Sequence, residues 1–134
     1  MEKIMKLARY GKVAIATVGG VICYWLGGLD QLLTALLVLM VIDYLSGIIR
    51  GAYLKELSSR IGFRGIGRKV LLLTVVAVAF IVENIIGETF PLREIVIMFF
   101  IANEGLSILE NSAAVGLPLP DKLKTALLQL KEQG

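Results

Sequence analysis

The chain has 134 residues, a length suited to one domain, and 57% of them are hydrophobic, above the roughly 45–50% apolar share of soluble domains. Mean hydropathy is +0.80, and the 19% of residues that are charged cluster in short blocks between long uncharged stretches. This pattern demands lipid as solvent and argues against a soluble enzyme.

Histidine is absent and Cys23 is the single cysteine, which rules out an internal disulfide and leaves no Cys/His cluster with metal-ligand spacing. No metal and no cofactor is expected. The net charge of +3 does not point to nucleic acid, because no aromatic residues interleave the basic ones as a single-strand groove requires. Anionic lipid headgroups are the better partner for that charge.

Residues 1–12 form a basic leader with Lys3, Lys6, Arg9 and Lys12 against Glu2. An uncharged run over 13–29 follows, too long for a cleavable apolar core and without an A-x-A site, so it reads as a retained first span. Gly27, Gly28 and Asp30 make a turn into a second run over 31–49, broken only by Asp43. At 1.5 Å per residue that run reaches about 28 Å, close to the hydrocarbon thickness of a bilayer.

Residues 50–69 hold Arg50, Lys55, Arg60, Arg64, Arg68 and Lys69 with one acid, Glu56, and four glycines; they read as a basic loop or surface-lying segment. Arg60, Arg64, Arg68 and Lys69 are its membrane-surface cations. A third run covers 70–86 and exits at Gly87, Glu88 and Pro91. The fourth candidate, 95–117, ends at the Leu117-Pro118-Leu119-Pro120 sequence because proline cannot continue the helical ladder. Residues 121–132 have the spacing of a short amphipathic helix, with Leu123, Leu127 and Leu130 on one side, lying on the membrane or packed on a neighbour.

The expected fold is therefore an all-α integral membrane protein, a single unit over 1–134 with about four transmembrane helices and an amphipathic tail. The leader and the 50–69 segment are basic while the 30 and 83–94 turns are not, which places both termini in the cytoplasm if four segments cross. If the fourth segment lies flat in the interface instead, three spans remain and the tail is outside.

Polar groups within the runs are the candidate functional residues. Asp43 is costly at mid-membrane, at about 2.5–3.5 kcal/mol on insertion scales, so it is either neutralised by Arg50 on the same helix face or turned into a bundle or pore. Gly47 and Gly51 form a small-xxx-small pair suited to close helix approach and self-association. Asn103, Glu104, Ser107, Glu110 and Asn111 fall within about 120° of arc at 100° per residue, so one side of the fourth helix is polar and must face other helices or water. No nucleophile–base pair accompanies these acids, and no enzymatic activity is expected.

Three stretches of this chain resemble the bacteriophage holin family, in the group shared by phage-lysis and toxin-secretion holins. They are Ile42-Asp43-Tyr44-Leu45-Ser46-Gly47, the basic run from Ser58 to Lys69, and Asn103-Glu104-Gly105-Leu106-Ser107-Ile108-Leu109-Glu110-Asn111, which continues into Gly116-Leu117-Pro118-Leu119-Pro120. The resemblance implies a protein that accumulates in the bacterial cytoplasmic membrane, associates with itself, and at a set time opens lesions that release a cell-wall-degrading enzyme or a toxin. Asp43, Gly47, Gly51, Asn103, Glu104, Ser107 and Glu110 would then act in oligomerisation or line the pore. Met5 offers a second translation start, although removing Glu2 and Lys3 leaves the leader's charge unchanged. A small ion channel or transporter subunit, and a structural membrane subunit of a larger complex, are the alternative readings of the same residues.

Overall fold

The computed structural model describes residues 1–87 and 89–133 and consists of five helices, with no strand among the described residues. They are α1 (Glu2–Trp25), α2 (Gln31–Tyr53), α3 (Ser59–Ile86), α4 (Leu92–Ala114) and α5 (Asp121–Gln133). Local chemistry sets most of the boundaries. Asp30 caps α2 by accepting a hydrogen bond from the Leu33 amide at 2.9 Å, and Ser58 caps α3 through the Ile61 amide at 3.3 Å, each satisfying a donor that the first helical turn leaves open. Gly27, Gly28, Gly87 and Gly116 have positive φ at or just beyond helix ends, a conformation side chains resist.

Several boundaries differ from the sequence reading: the first helix ends at Trp25 and not at 29, and the fourth ends at Ala114 and not at 117, before the proline sequence. The basic leader is continuous with the first helix, which starts at Glu2. The 50–69 segment is not a loop: α2 runs on to Tyr53 and α3 begins at Ser59, leaving only 54–58 outside helix. Its glycines suggested flexibility, yet Gly62 and Gly65 are helical positions where the Tyr44 ring of α2 lies within 3.6 Å of where a Cβ would stand. Finally, α4 starts at Leu92, ahead of 95, with Pro91 at its N-cap position.

Helix α4 is the hub. It packs most extensively on α2, then on α5, then on α3, whereas α2 and α3 meet only lightly and α1 touches only α3. Asp30 binds Arg93 at one end and Arg50 binds Asn111 at the other, so α2 and α4 run parallel, with α3 antiparallel between them in sequence. The core comprises Leu26, Leu33, Leu36, Met40, Leu72, Val76, Ile97 and Ile101, at the i, i+3, i+4, i+7 spacings that keep side chains on one helix face. The amphipathic tail packs on α4 of its own chain, with Leu130 against the core.

Helices α2 and α3 are long and apolar enough to cross a membrane, and only 17% of the apolar window of each is buried. Val38, Val41, Leu45 and Ile49 of α2 and Leu71, Val75, Val78 and Ile85 of α3 all point outward. Helix α1 buries no residue at all.

The end of the bundle away from the basic residues is closed by Arg93, which is 6% exposed. Its guanidinium donates to the Leu26 carbonyl at 2.6 Å, the Gly28 carbonyl at 2.9 Å and the Asp30 carboxylate at 2.7 Å, while its backbone amide donates to Glu83 at 3.3 Å. One side chain thus gathers the α1–α2 turn onto α4. Hydrogen bonding from Arg93 outweighs the opposing effect of burial and holds the Asp30 carboxyl below its ordinary pKa.

Gly27 sits at φ +93, and a Cβ there would stand 2.7 Å from Arg93 Cδ and 2.9 Å from Phe80. Gly27→Ala should therefore lower stability by about 1–3 kcal/mol from backbone strain alone, read as a reduced Tm in micelles. Gly11→Ala, in a helix with open space around it, should leave Tm unchanged or slightly raised.

Because the folded pKa of Asp30 lies below its unfolded value, the contribution of this contact is full above the ordinary carboxylate range. It is lost as pH falls through the lowered folded value. Acid titration of micellar protein should show a shallower loss of stability for Asp30→Asn than for the parent chain.

Candidate functional site

The polar residues of the three central helices meet in one place. Asp43 of α2, Lys69 of α3 and Glu104 of α4 converge, with the Lys69 ammonium 2.7 Å from Asp43 Oδ2 and 2.5 Å from Glu104 Oε2. Their side chains are only 17%, 14% and 11% exposed, in the order Lys69, Asp43, Glu104. Each comes from a different helix, so the contact exists only when all three are assembled.

Asn111 extends the network toward the basic end. Its amide nitrogen donates to Ser46 Oγ at 2.9 Å and to Asp43 Oδ1 at 3.3 Å, and its oxygen accepts from Arg50 at 3.4 Å. Two carboxylates share the one Lys69 ammonium, and the hydrogen-bond chain from Asp43 through Asn111 leads on to Arg50. Among the described residues no fully buried side-chain polar atom lacks a partner, as the cost of an unpaired group in a low-dielectric interior requires.

Beside the triad lies an open cleft of about 900 Å³, between α2, α3 and α4. Asp43, Asn103, Glu104, Ser107, Glu110 and Asn111 all line it. The polar stripe expected on the fourth helix is thus a real face, turned to α2 and α3 near its middle and to open space at Glu110, which is exposed.

Other expected residues take different places. Asp43 is paired with Lys69 rather than with Arg50, so its carboxylate faces the bundle. Lys69, grouped by composition with the surface cations, points inward; at 100° per residue it lies on the opposite side of α3 from Arg60. Arg60, Arg64 and Arg68 remain exposed. Gly47 lines the cleft, with Asn111 as its nearest side chain, and Gly51 is covered by Leu57 from the turn that follows α2. A Cβ at Gly51 would meet Leu57 at 3.2 Å, whereas one at Gly47 would have only the Asn111 amide, at 3.8 Å.

Arg93 escaped the sequence reading altogether. The available signal was a lone arginine among the glutamates of the 83–94 turn, on the same side of the bundle as Asp30 of the other non-basic turn.

The profile of the bacteriophage holin family matches residues 20–132, a range containing every residue of the triad, the cleft and α5 up to Glu132. The chain belongs to the bacteriophage holin family. A probable holin of Bacillus phage phi105 is 41% identical over 96 residues, covering 72% of this chain and 71% of the phage protein. An uncharacterized 14.9 kDa protein from the nagH 3′ region of Clostridium perfringens is 43% identical and covers 99% of both chains. Protein Lin0175 of Listeria innocua is 41% identical over 87% of this chain and 84% of its own. No solved structure matches this holin-family chain.

In this holin-family protein, removing Lys69 leaves two carboxylates facing each other in a poorly solvated site. Lys69→Met should cost about 3 kcal/mol, the lower end for breaking one side of a buried ion pair. The triple variant Lys69→Met/Asp43→Asn/Glu104→Gln should cost less than the single one, because no uncompensated charge remains. Thermal unfolding of all three proteins in the same micelle checks the order.

Proposed function

We propose that the protein acts as a holin. It inserts in the bacterial cytoplasmic membrane, associates with copies of itself, and opens lesions through which a cell-wall-degrading enzyme or a toxin leaves the cell. It performs no chemistry of its own. The observation that carries this reading is a compensated charge network, Lys69 with Asp43 and Glu104, held inside helices whose outer faces are apolar. Such a protomer is stable in lipid as long as the network stays covered, and it presents a polar surface when the cleft is opened to water.

Four spans with both termini cytoplasmic fit this arrangement. Helix α4 is tied to α2 at both ends, by Arg93 to Asp30 and by Asn111 to Arg50, so if α2 crosses the bilayer, α4 crosses beside it. The basic residues on the α2–α3 side, among them exposed Arg60, Arg64 and Arg68, would lie against anionic headgroups of the cytoplasmic leaflet. The phage relative at 41% identity, a probable holin, supports the same reading.

A cation channel would need these carboxylates free to take an ion, and Lys69 already occupies both. Asp43, Asn103, Glu104, Ser107 and Glu110 are instead assigned to lesion lining and protomer association.

Expression in a bacterium that also holds a cytoplasmic muralytic enzyme should produce abrupt lysis and enzyme release only when both proteins are present. Glu104→Gln and Asp43→Asn should each shift the time of lysis and the oligomer distribution seen after membrane crosslinking. Ion leakage without enzyme release from the parent chain would overturn the holin reading. Unchanged timing and oligomers in both variants would remove these residues from the mechanism.

A further inference from the structure

The docking of α5 has a geometric consequence for the membrane. Helix α5 begins after the Pro118 and Pro120 turn and folds back along α4. Leu127 covers Gly105 so closely that a Cβ at Gly105 would stand 2.9 Å from Leu127 Cδ2. Lys131 lies 5.4 Å from the centre of the Phe99 ring and lines the polar cleft, and Leu130 packs on the core.

Along α4, Gly105 is nine residues from the helix end at Ala114 and Phe99 is fifteen, about 14 Å and 22 Å at the α-helical rise. If α4 crosses the bilayer with α2, α5 therefore penetrates well beyond half the hydrocarbon thickness of about 30 Å. Its outer face carries Lys122, Lys124, Thr125, Gln129 and Glu132, all exposed, with Leu128 as an exposed apolar residue among them. Gln129 and Glu132, beyond Leu127, are the residues at that depth, and an amide and a carboxylate there do not face acyl chains.

We propose that α5 is a re-entrant helix whose outer face stands in water within the membrane's thickness, so that it forms a wall of the lesion with the cleft behind it. The proposal rests on the holin reading and extends it, because it assigns the water-facing surface to the tail as well as to the stripe of α4. Only water fits the face. Lipid is excluded by the charges, and the protomer itself covers only the side bearing Leu127, Leu130 and Lys131.

The test uses the full chain carrying Cys23→Ser and one further cysteine, with an impermeant maleimide applied to intact cells and to inverted membrane vesicles prepared before lysis. In vesicles, Gln129→Cys should react about tenfold more than Val41→Cys, which lies on the outward apolar face of α2. Exposed Glu94→Cys, near the start of α4, should react only from the outer face of intact cells. The double variant Gly105→Cys/Leu127→Cys should form an intramolecular disulfide on oxidation, which confirms docking in the membrane.

Gln129→Cys as unreactive as Val41→Cys would overturn the proposal. So would the absence of the disulfide, which would put a detached tail in the cytoplasm, or labelling of Glu94→Cys from the cytoplasmic side, which would lay α4 and α5 on the surface. None of these readouts requires lysis. Failure of enzyme release with the expected labelling would therefore count against the holin reading alone.

Discussion

The arrangement of the three central helices depends on one ammonium group, Lys69, shared by carboxylates from two other helices. In water, burying a leucine such as Leu33 or Leu36 would contribute about 1.5–3 kcal/mol. Against acyl chains that contribution largely vanishes, since lipid tails are as apolar as the side chain, and association rests on close packing and polar contacts. Helices α2 and α3 touch so lightly that packing alone specifies their register poorly. Lys69 supplies the missing specification: a slip of one residue along α3 would swing it by about 100° and leave two carboxylates without a cation.

The two ends of the bundle are built differently. At the Arg93 end the guanidinium is bound by two backbone carbonyls and one carboxylate, acceptors that, apart from Asp30, never titrate. Gly27 makes this possible by leaving room for the arginine stem. At the other end the network runs through side chains, Asp43 to Asn111 to Arg50, and opens onto a cleft. The protein thus has a tightly closed end and an end where helices stand apart around the cleft.

Helix existence and the polar stripe of α4 were legible because both are written in periodicity: apolar runs of sufficient length, and five polar residues within one arc. The tertiary partners were not. Nothing in the spacing of Lys69 separates it from Arg68, and only the helical continuity of 59–69 turns one inward while leaving the other exposed. That continuity was hidden by composition, since glycines 62 and 65 look like loop residues until Tyr44 of another helix is seen against them. Arg93 and Asp30, 63 residues apart in sequence, pair only because α2 and α4 are parallel, a topological fact that local patterns do not encode. Leu127 against Gly105 belongs to the same class.

On the proposed reading the protein accumulates without leaking and then opens abruptly, and the distribution of compensated charge bears on both. The acids of the triad are neutralised within the protomer, so they make no demand for water or for a second copy while the protein is dilute. Among the described residues no ion pair engages Glu110 or the outer face of α5, and these remain exposed. On the proposed reading, joining these wetted surfaces as protomers crowd lets several copies share one hydrated space that each would otherwise hold open alone. The gain grows with the number of copies enclosing that water, whereas the apolar faces of α1, α2 and α3 gain almost nothing from leaving lipid. On that reading, assembly driven by the polar remainder, rather than by apolar burial, would be intrinsically cooperative.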